Sequence, residues 1–200
     1  MDESPLLLFD LGGVLVENST FESLRRLLPA PLDGAAIRNR WMASPAVRRN
    51  ETGMLSPEEF ARAFIAEWGL RLSPEEFLKE FYSWPSALYP QARETIRALR
   101  KRHPVACFSN CSILHWEKFS SFTDEFDLAL SSHLLGAIKP DEEAFVRAFA
   151  RCRVEPADVC FFDDTPANVE AARRLGARAF HVEGIGPLLR TLRSEGFLPG

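Results

Sequence analysis

The side chains of this sequence best suited to chemistry are carboxylates that directly follow two apolar runs. Asp10 follows the run 6–9, and Asp163 and Asp164 follow the run 159–162. A short, continuous apolar run predicts a strand that is buried on both faces of a parallel sheet. The carboxyl ends of such strands share the sheet edge at which open α/β sheets bind ligands. Carboxylates that two strands deliver to one edge indicate a divalent metal ion and an acidic nucleophile.

The elements that must position these residues alternate regularly beyond residue 91. The predicted helices cover 91–102, 112–121, 141–151, 166–175 and 187–194. The predicted strands cover 104–109, 126–131, 159–163 and 177–182. Such alternation predicts right-handed crossovers and a parallel sheet with helices on both faces. With the strand over 6–10, the predicted sheet has about five strands.

The interval 17–90 has a different character, because it lacks β-branched runs and is typical of helices. Two of its segments begin with Ser-Pro-Glu-Glu-Phe, at Ser56 and at Ser73. In each, Ser is the N-cap, Pro takes the first helical position and the second Glu completes a capping box. The predicted helices are Phe21–Leu28, Asp33–Met42, Glu58–Trp68 and Glu75–Tyr82. We predict an α/β core domain of 1–16 and 91–200, with a small helical cap domain of 17–90 inserted after the first strand.

Composition excludes several classes of partner. A net charge of −4 with mixed signs leaves no basic stripe for nucleic acid. No stretch has the length of a membrane span, and residues 1–4 are acidic where a secretory signal would be basic. The four cysteines form no Cys-x-x-Cys pair, so we expect buried thiols in a reducing cytoplasm rather than disulfides or zinc. The oligomeric state is not predicted.

Four motifs follow one another at predicted strand ends or in the loops after them. They are Asp10, Ser109-Asn110, Lys139-Pro140, and Asp163-Asp164 with Asn168. In this order, they resemble the haloacid dehalogenase superfamily, whose members are mostly Mg²⁺-dependent phosphatases. The interval 51–56 further resembles the subgroup of bacterial sugar-phosphate phosphatases and the N-terminal phosphatase domain of soluble epoxide hydrolases. The resemblance implies a Rossmann-like sheet whose first strand lies between the strands over 159–163 and 104–109.

The resemblance also implies a nucleophile and a metal site. Asp10 would attack phosphorus and form an aspartyl-phosphate that water then hydrolyses. Mg²⁺ would bind Asp10, Asp164 and the backbone carbonyl of Gly12, since this ion prefers oxygen ligands.

The remaining motif residues have supporting roles in this resemblance. Ser109 and the Asn110 backbone N–H would bind the phosphoryl oxygens, and Lys139 would stabilise charge near them. Asp163 would orient Lys139 or the ligands of the metal, and Asn168 would hold a metal-bound water.

Gly12 departs from the family pattern, because most of these phosphatases carry a second Asp at this position. That Asp protonates the departing alcohol, and losing such a group typically costs about 10²–10⁴-fold in rate. We therefore expect low efficiency, or substrates with good leaving groups such as anomeric sugar phosphates and acyl phosphates. Glu17, Glu51 and His115 are candidates for a substitute acid that the spacing does not support.

The function we predict is Mg²⁺-dependent hydrolysis of a small phosphorylated metabolite, with sugar phosphates as one candidate class. The alternative is a catalytically weak or silent domain that binds a phosphometabolite or a protein partner. A 2-haloacid dehalogenase also lacks the second Asp of the first motif. Such enzymes need no metal and usually lack the doubled acid, so Asp163 and Asp164 argue against this third function.

Overall fold

The computed structural model describes residues 4–199, so the first three residues of the acidic segment 1–4 lie outside the described range. The strands are β1 (Leu6–Phe9), β2 (Val16–Asn18), β3 (Pro85–Leu88), β4 (Val105–Ser109), β5 (Leu128–Ser131), β6 (Val159–Asp163) and β7 (Arg178–His181). The helices are α1 (Thr20–Leu27), α2 (Gly34–Ala43), α3 (Pro45–Glu51), α4 (Pro57–Trp68), α5 (Pro74–Ser83), α6 (Ala92–Leu99), α7 (Ile113–Lys118), α8 (Ser120–Thr123), α9 (Ser132–Leu135), α10 (Glu142–Cys152), α11 (Pro166–Arg174) and α12 (Ile185–Ser194). Within residues 4–199, no helix combines the length and the apolar character needed to cross a membrane.

Five of the strands form one parallel sheet in the order β5-β4-β1-β6-β7. The first strand pairs with β4 on one side and with β6 on the other, as the family resemblance implied. Because all five strands run in the same direction, Asp10, Ser109 and Asp163 lie at the same edge. The predicted α/β fold with a sheet of about five strands is confirmed.

The sheet is buried on both faces, which explains the apolar runs in its strands. Leu7 and Phe9 face a cluster that includes side chains of α6 and α12. Leu6 and Leu8 face the opposite cluster, which includes side chains of α10 and α11. Successive side chains of a strand point to opposite faces, so a strand covered on both faces must be apolar at every position.

Helices α1, α2, α4 and α5 of the segment 17–90 lie where the sequence predicted helices, and they share an apolar cluster of their own. Both predicted capping boxes are present. The Ser56 and Ser73 hydroxyls accept from the Glu59 and Glu76 amides at 3.3 and 3.2 Å. In return, each Glu carboxylate accepts from the amide of its Ser at 2.8 Å.

Beyond the four predicted helices, this segment contains a further helix and two short strands. Helix α3 was not predicted, although Ser44-Pro45 repeats the Ser-Pro start of α4 and α5, and Ser44 accepts from the Val47 amide at 3.1 Å. Strands β2 and β3 pair antiparallel where the segment leaves and rejoins the sheet domain. Elsewhere, the helix predicted over 112–121 is divided at Phe119 into α7 and α8, and α9 was not predicted.

The helical segment contacts the sheet domain through polar groups on both sides. Arg48 of α3 forms an ion pair with Asp141, which directly precedes α10. Lys118 of α7 donates to the Tyr82 carbonyl at the end of α5, at 2.8 Å. These contacts join the helical segment to the sheet edge that carries Asp10.

Candidate active site

The carboxyl ends of β1 and β6 bring three carboxylates together. Asp10 directly follows β1, and its backbone N–H donates to the Phe162 carbonyl at 2.9 Å, which continues the pairing of the two strands. Asp163 is the last residue of β6, and Asp164 comes next. One carboxylate oxygen each of Asp10, Asp163 and Asp164 lies within 4.8 Å of the others. The structure thus places the two carboxylates predicted to bind metal beside each other.

Lys139 lies among these carboxylates and is 1% exposed. Its Nζ donates to Asp10 Oδ1 at 3.0 Å, to Asp163 Oδ2 at 2.7 Å and to the Phe108 carbonyl at 2.8 Å. Burial alone would lower the pKa of this lysine, but the charges of Asp10 and Asp163 outweigh it and raise the pKa. Lys139 is therefore a fixed positive charge, and each of its three ammonium protons has an acceptor.

Ser109 and Asn110 lie at the end of β4, beside the loop that carries Lys139. The Asn110 side chain clamps this loop, because Nδ2 donates to the Lys139 carbonyl at 2.8 Å and Oδ1 accepts from its amide at 2.9 Å. Ser109 is buried and borders the same cavity as Asp10. Helix α7 is capped by Ser112, so neither Ser109 nor Asn110 acts as its N-cap.

Asp163 is fully engaged within the protein. Besides Lys139, its carboxylate accepts from the Thr165 amide at 2.8 Å and from Asn168 Nδ2 at 3.0 and 3.1 Å. Asp163 is thus a neighbour of both Lys139 and Asn168, and its contact with Lys139 Nζ is the shortest of its hydrogen bonds at 2.7 Å. The buried Asn168 Oδ1 has no hydrogen-bond partner among the described residues, so it remains an acceptor for a donor at this site.

The carboxylates hold more negative charge than Lys139 neutralises. Burial raises the pKa of Asp10 to about 7; Lys139 opposes the rise, while Asp163 and Asp164 add to it. Burial, followed by repulsion from Asp163, raises the pKa of Asp164 to about 6. Like charges close together disfavour each other's ionised form, and a divalent cation between them would relieve this repulsion.

At the first motif, Gly12 offers a backbone carbonyl but no side chain. Among the described residues, no hydrogen bond is made to its carbonyl oxygen. A Cβ built at Gly12 would lie 3.2 Å from Asn18 Nδ2, a closer approach than most Cβ contacts. Asn18 is itself held, because its Oδ1 accepts from the Thr20 amide at 3.0 Å and from the Thr20 hydroxyl at 2.6 Å. The amide of Asn18 therefore lies beside the position where most family members carry an acid.

Two further residues support Asp164 and were missed by sequence reasoning. Gly13 has a φ of +77°, and a Cβ there would lie 2.1 Å from Asp164 Oδ2. His181 Nε2 donates to the Asp164 carbonyl at 2.8 Å from the neighbouring strand β7. The glycine in the first motif was visible in the sequence, but its contact with the fourth motif depends on the pairing of β1 with β6.

A cavity of about 370 Å³ adjoins these carboxylates. The sheet domain borders it with Asp10, Ser109, Lys139 and Asp164. The helical segment contributes mostly apolar and aromatic side chains, which include Phe21, Trp41, Met42, Val47 and Phe81, together with the charged Arg48 and Glu51. The sheet domain therefore lines the cavity with charged and polar side chains, and the helical segment lines it mostly with apolar ones.

Two of the three candidates for a substitute acid border this cavity. They are Glu51 and His115, whereas Glu17 does not line it and instead accepts from the Ser86 hydroxyl at 3.2 Å. His115 Nε2 donates to the Phe81 carbonyl at 2.7 Å, and burial lowers the pKa of this histidine to about 4. At neutral pH, His115 is therefore uncharged, and its Nε2 proton is already donated to the Phe81 carbonyl.

Comparison with known proteins identifies the family. The model of the haloacid dehalogenase-like hydrolases matches residues 5–176. The chain belongs to this family. The match extends from the start of the sheet past Asp164 and Asn168, so all four motifs of this haloacid dehalogenase-like hydrolase lie inside it.

The relatives of this hydrolase include phosphatases. D-ribitol-5-phosphate phosphatase of Bacteroides thetaiotaomicron is 26% identical over 187 residues, which cover 88% of this chain and 91% of that protein. A predicted haloacid dehalogenase-like hydrolase of Porphyromonas gingivalis has a TM-score of 0.73 and 26% identity, over 94% of this chain and 98% of its own. A family enzyme of B. thetaiotaomicron in complex with magnesium and inorganic phosphate has a TM-score of 0.72 and 21% identity, over 88% and 93%. Mg²⁺, the cofactor predicted from the sequence, is the ion in that complex.

Proposed function

We propose that this protein is a Mg²⁺-dependent phosphatase that hydrolyses small phosphorylated metabolites through an aspartyl-phosphate at Asp10. One observation carries the proposal. Asp10 borders a cavity of metabolite size, the buried Lys139 donates a hydrogen bond to the Asp10 carboxylate, and Asp164 lies beside that carboxylate. Such a constellation serves to bind and attack an anionic phosphate. The family membership and the phosphatase among the relatives support the same reaction.

The residues at the sheet edge fit Mg²⁺. Asp10, Asp164 and the Gly12 carbonyl offer only oxygen donors, which suit this hard cation. The unpartnered Asn168 Oδ1 would accept from a water on the metal. When bound, Mg²⁺ would supply positive charge that lowers the repulsion between the phosphate and the carboxylates.

The side chains of the protein would divide the reaction between them. Asp10 forms a bond to phosphorus as the bond to the leaving oxygen breaks, and water later releases the phosphate from Asp10. Lys139, held by Asp163 and by the Asn110 clamp, stabilises the negative charge of the transferring phosphoryl group. Ser109 hydrogen-bonds the phosphoryl oxygens from the end of β4.

Substrate size and efficiency follow from the residues around the nucleophile. The cavity of about 370 Å³ favours small metabolites, and sugar or polyol phosphates are the first class to test. Because Gly12 supplies no acid, esters whose leaving alcohol must be protonated turn over slowly unless another side chain donates the proton. Esters with good leaving groups need less protonation.

The organisation of the chain is part of this proposal. Residues 17–90 form a cap domain over a core of 1–16 and 91–200; the separate apolar cluster of the helical segment and the Arg48–Asp141 ion pair support this division. The cytoplasmic location also stays a prediction, in keeping with four cysteines that are all free.

The test is phosphate release from a panel of polyol phosphates, anomeric sugar phosphates and acyl phosphates, with and without Mg²⁺. We expect Mg²⁺-dependent turnover by the wild type, none by Asp10→Asn, and unchanged turnover by Asp124→Asn, an exposed control. Turnover that persists in Asp10→Asn would refute the proposed nucleophile. If the wild type hydrolyses no ester but binds phosphate in calorimetry, the alternative function is supported instead, a catalytically silent domain that binds a phosphometabolite.

A further inference from the structure

The reaction proposed above lacks a proton donor, because residue 12 is a glycine. Any donor must reach the cavity that Asp10 borders. From the segment 17–90, that cavity receives one acidic side chain, Glu51. It comes from the helical segment, whereas the usual acid of the family lies on the loop after β1.

The position of Glu51 is fixed by contacts on both sides of it in the sequence. Glu51 is the last residue of α3, and Arg48 on the same helix pairs with Asp141 of the sheet domain. Past the helix, Gly53 has a φ of +75°, and a Cβ there would lie 2.5 Å from the His133 carbonyl oxygen. Only a glycine allows this close approach, so the end of α3 is seated against the sheet domain.

The carboxyl group of Glu51 is free to act. Among the described residues, no group forms a hydrogen bond or an ion pair with this carboxyl group, which borders the cavity. Burial and, to a smaller extent, the charge of Asp10 raise its pKa to about 8, while Lys139 opposes the rise. A carboxyl group in this state keeps its proton at neutral pH, as a general acid must. The Cys111 thiol, which also borders the cavity, has its pKa raised by burial and by Glu51.

We propose that Glu51, in the phosphatase reaction proposed above, is the general acid and base that substitutes for the acid missing at Gly12. In the first step, the Asp10–phosphorus bond forms and the ester bond breaks, and the leaving oxygen takes the proton of Glu51. In the second step, the Glu51 carboxylate accepts a proton from water as the water oxygen bonds to phosphorus. The bond from phosphorus to Asp10 breaks, and inorganic phosphate leaves with Asp10 restored as a carboxylate and Glu51 protonated.

The test compares esters that differ in their need for a proton. Glu51→Gln keeps the shape and hydrogen-bonding capacity of the side chain but cannot donate a proton in this way, and Glu58→Gln on the exposed face of α4 is the matched control. With an alkyl ester such as glycerol phosphate, we expect kcat/KM of Glu51→Gln to fall about 10²–10⁴-fold. With p-nitrophenyl phosphate, whose leaving group needs no proton, kcat/KM should fall less than about 10-fold.

A second readout follows the water step. Because Glu51→Gln cannot activate water, p-nitrophenolate should appear as an initial burst, followed by slow turnover from accumulated phosphoenzyme. Glu51→Asp, which keeps a carboxyl group, should restore part of the rate with the alkyl ester and remove the burst. Circular dichroism spectra that match the wild type show that each variant is folded.

Each result decides between the proposals. Equal losses of kcat/KM with both esters in Glu51→Gln, or no loss with either, would overturn the role of Glu51 while the phosphatase reaction stands. A wild type that is inactive with both esters would overturn the proposed function, and the role of Glu51 with it. In Glu51→Gln, we expect a large loss of kcat/KM with the alkyl ester, and with the aryl ester a burst followed by slow turnover.

Discussion

Replacing Lys139 by Met tests whether this buried cation balances the carboxylates around it. Met is similar in length, so the variant loses the charge and three hydrogen bonds but little packing. At an effective dielectric constant of about 20, unit charges 3.0 Å apart, as at Asp10, attract by about 5.5 kcal/mol. At the 2.7 Å separation from Asp163, the attraction is about 6 kcal/mol. Removing the ions from water offsets much of this, so we expect the free energy of unfolding to fall by about 3–5 kcal/mol.

The loss should increase with pH, because Asp10 has different pKa values in the folded and unfolded chain. Its pKa is about 7 in the folded protein and about 3.9 when unfolded. The folded state therefore binds more protons, and the contribution of Asp10 to stability falls as the pH rises from about 4 to 7. Lys139 opposes the rise in this pKa, so its removal raises the pKa further. At pH values above both pKa values, each unit by which the pKa of folded Asp10 rises lowers the free energy of unfolding by about 1.4 kcal/mol.

The assay is urea denaturation in EDTA at pH 5 and at pH 8. Lys101→Met serves as the control, because Lys101 is exposed beyond the end of α6. We expect Lys139→Met to lose about 3–5 kcal/mol at pH 8 and less at pH 5, and the control to stay within about 0.5 kcal/mol of the wild type. A loss below about 1 kcal/mol at pH 8, or equal losses at both pH values, would refute this electrostatic reasoning.

Further variants test the loop after β1 and the metal site. Gly13→Ala should lower the free energy of unfolding by more than about 2 kcal/mol in denaturation, because it adds strain at positive φ and displaces the Asp164 carboxylate. In the Glu51→Gln background, Gly12→Asp should restore turnover of alkyl phosphates only partly, since Asn18 crowds the new side chain, and more fully when Asn18→Ala is added; equal rates with and without Asn18→Ala would contradict this. Saturating Mg²⁺ should raise the thermal midpoint of the wild type, by the equivalent of about 2.7 kcal/mol at 100 times the dissociation constant. Asp164→Asn should show little of this rise in differential scanning fluorimetry, and an undiminished rise would exclude Asp164 as a ligand.

The sheet and its carboxylate edge were predictable from the sequence. The central strands β1 and β6 are continuous apolar runs up to their carboxylates, and Asp10 and Asp163 mark their ends. The rules for parallel sheets then place both carboxylates at one edge. Local chemistry was sufficient here, because the signals lie within a few residues of each other.

The features that escaped prediction depend on contacts between distant parts of the chain. Strands β2 and β3 are only three and four residues long and pair across the whole helical segment, so neither has a local signature. Asn18 lies beside Gly12, and His181 holds the Asp164 carbonyl, only because the chain folds back on itself. Helix α3 is a different case: its Ser44-Pro45 start was visible, but it lacks the Glu that completes the capping boxes of α4 and α5.

The most direct test of the account is to find the phosphoryl group during turnover. Wild-type protein and Mg²⁺ are mixed with p-nitrophenyl phosphate, quenched in acid within milliseconds to seconds, digested, and mapped by mass spectrometry. We expect a phosphoryl group on Asp10 that disappears when substrate is exhausted and never forms in Asp10→Asn. Turnover with no phosphorylated peptide, or with the phosphoryl group on another residue, would contradict it.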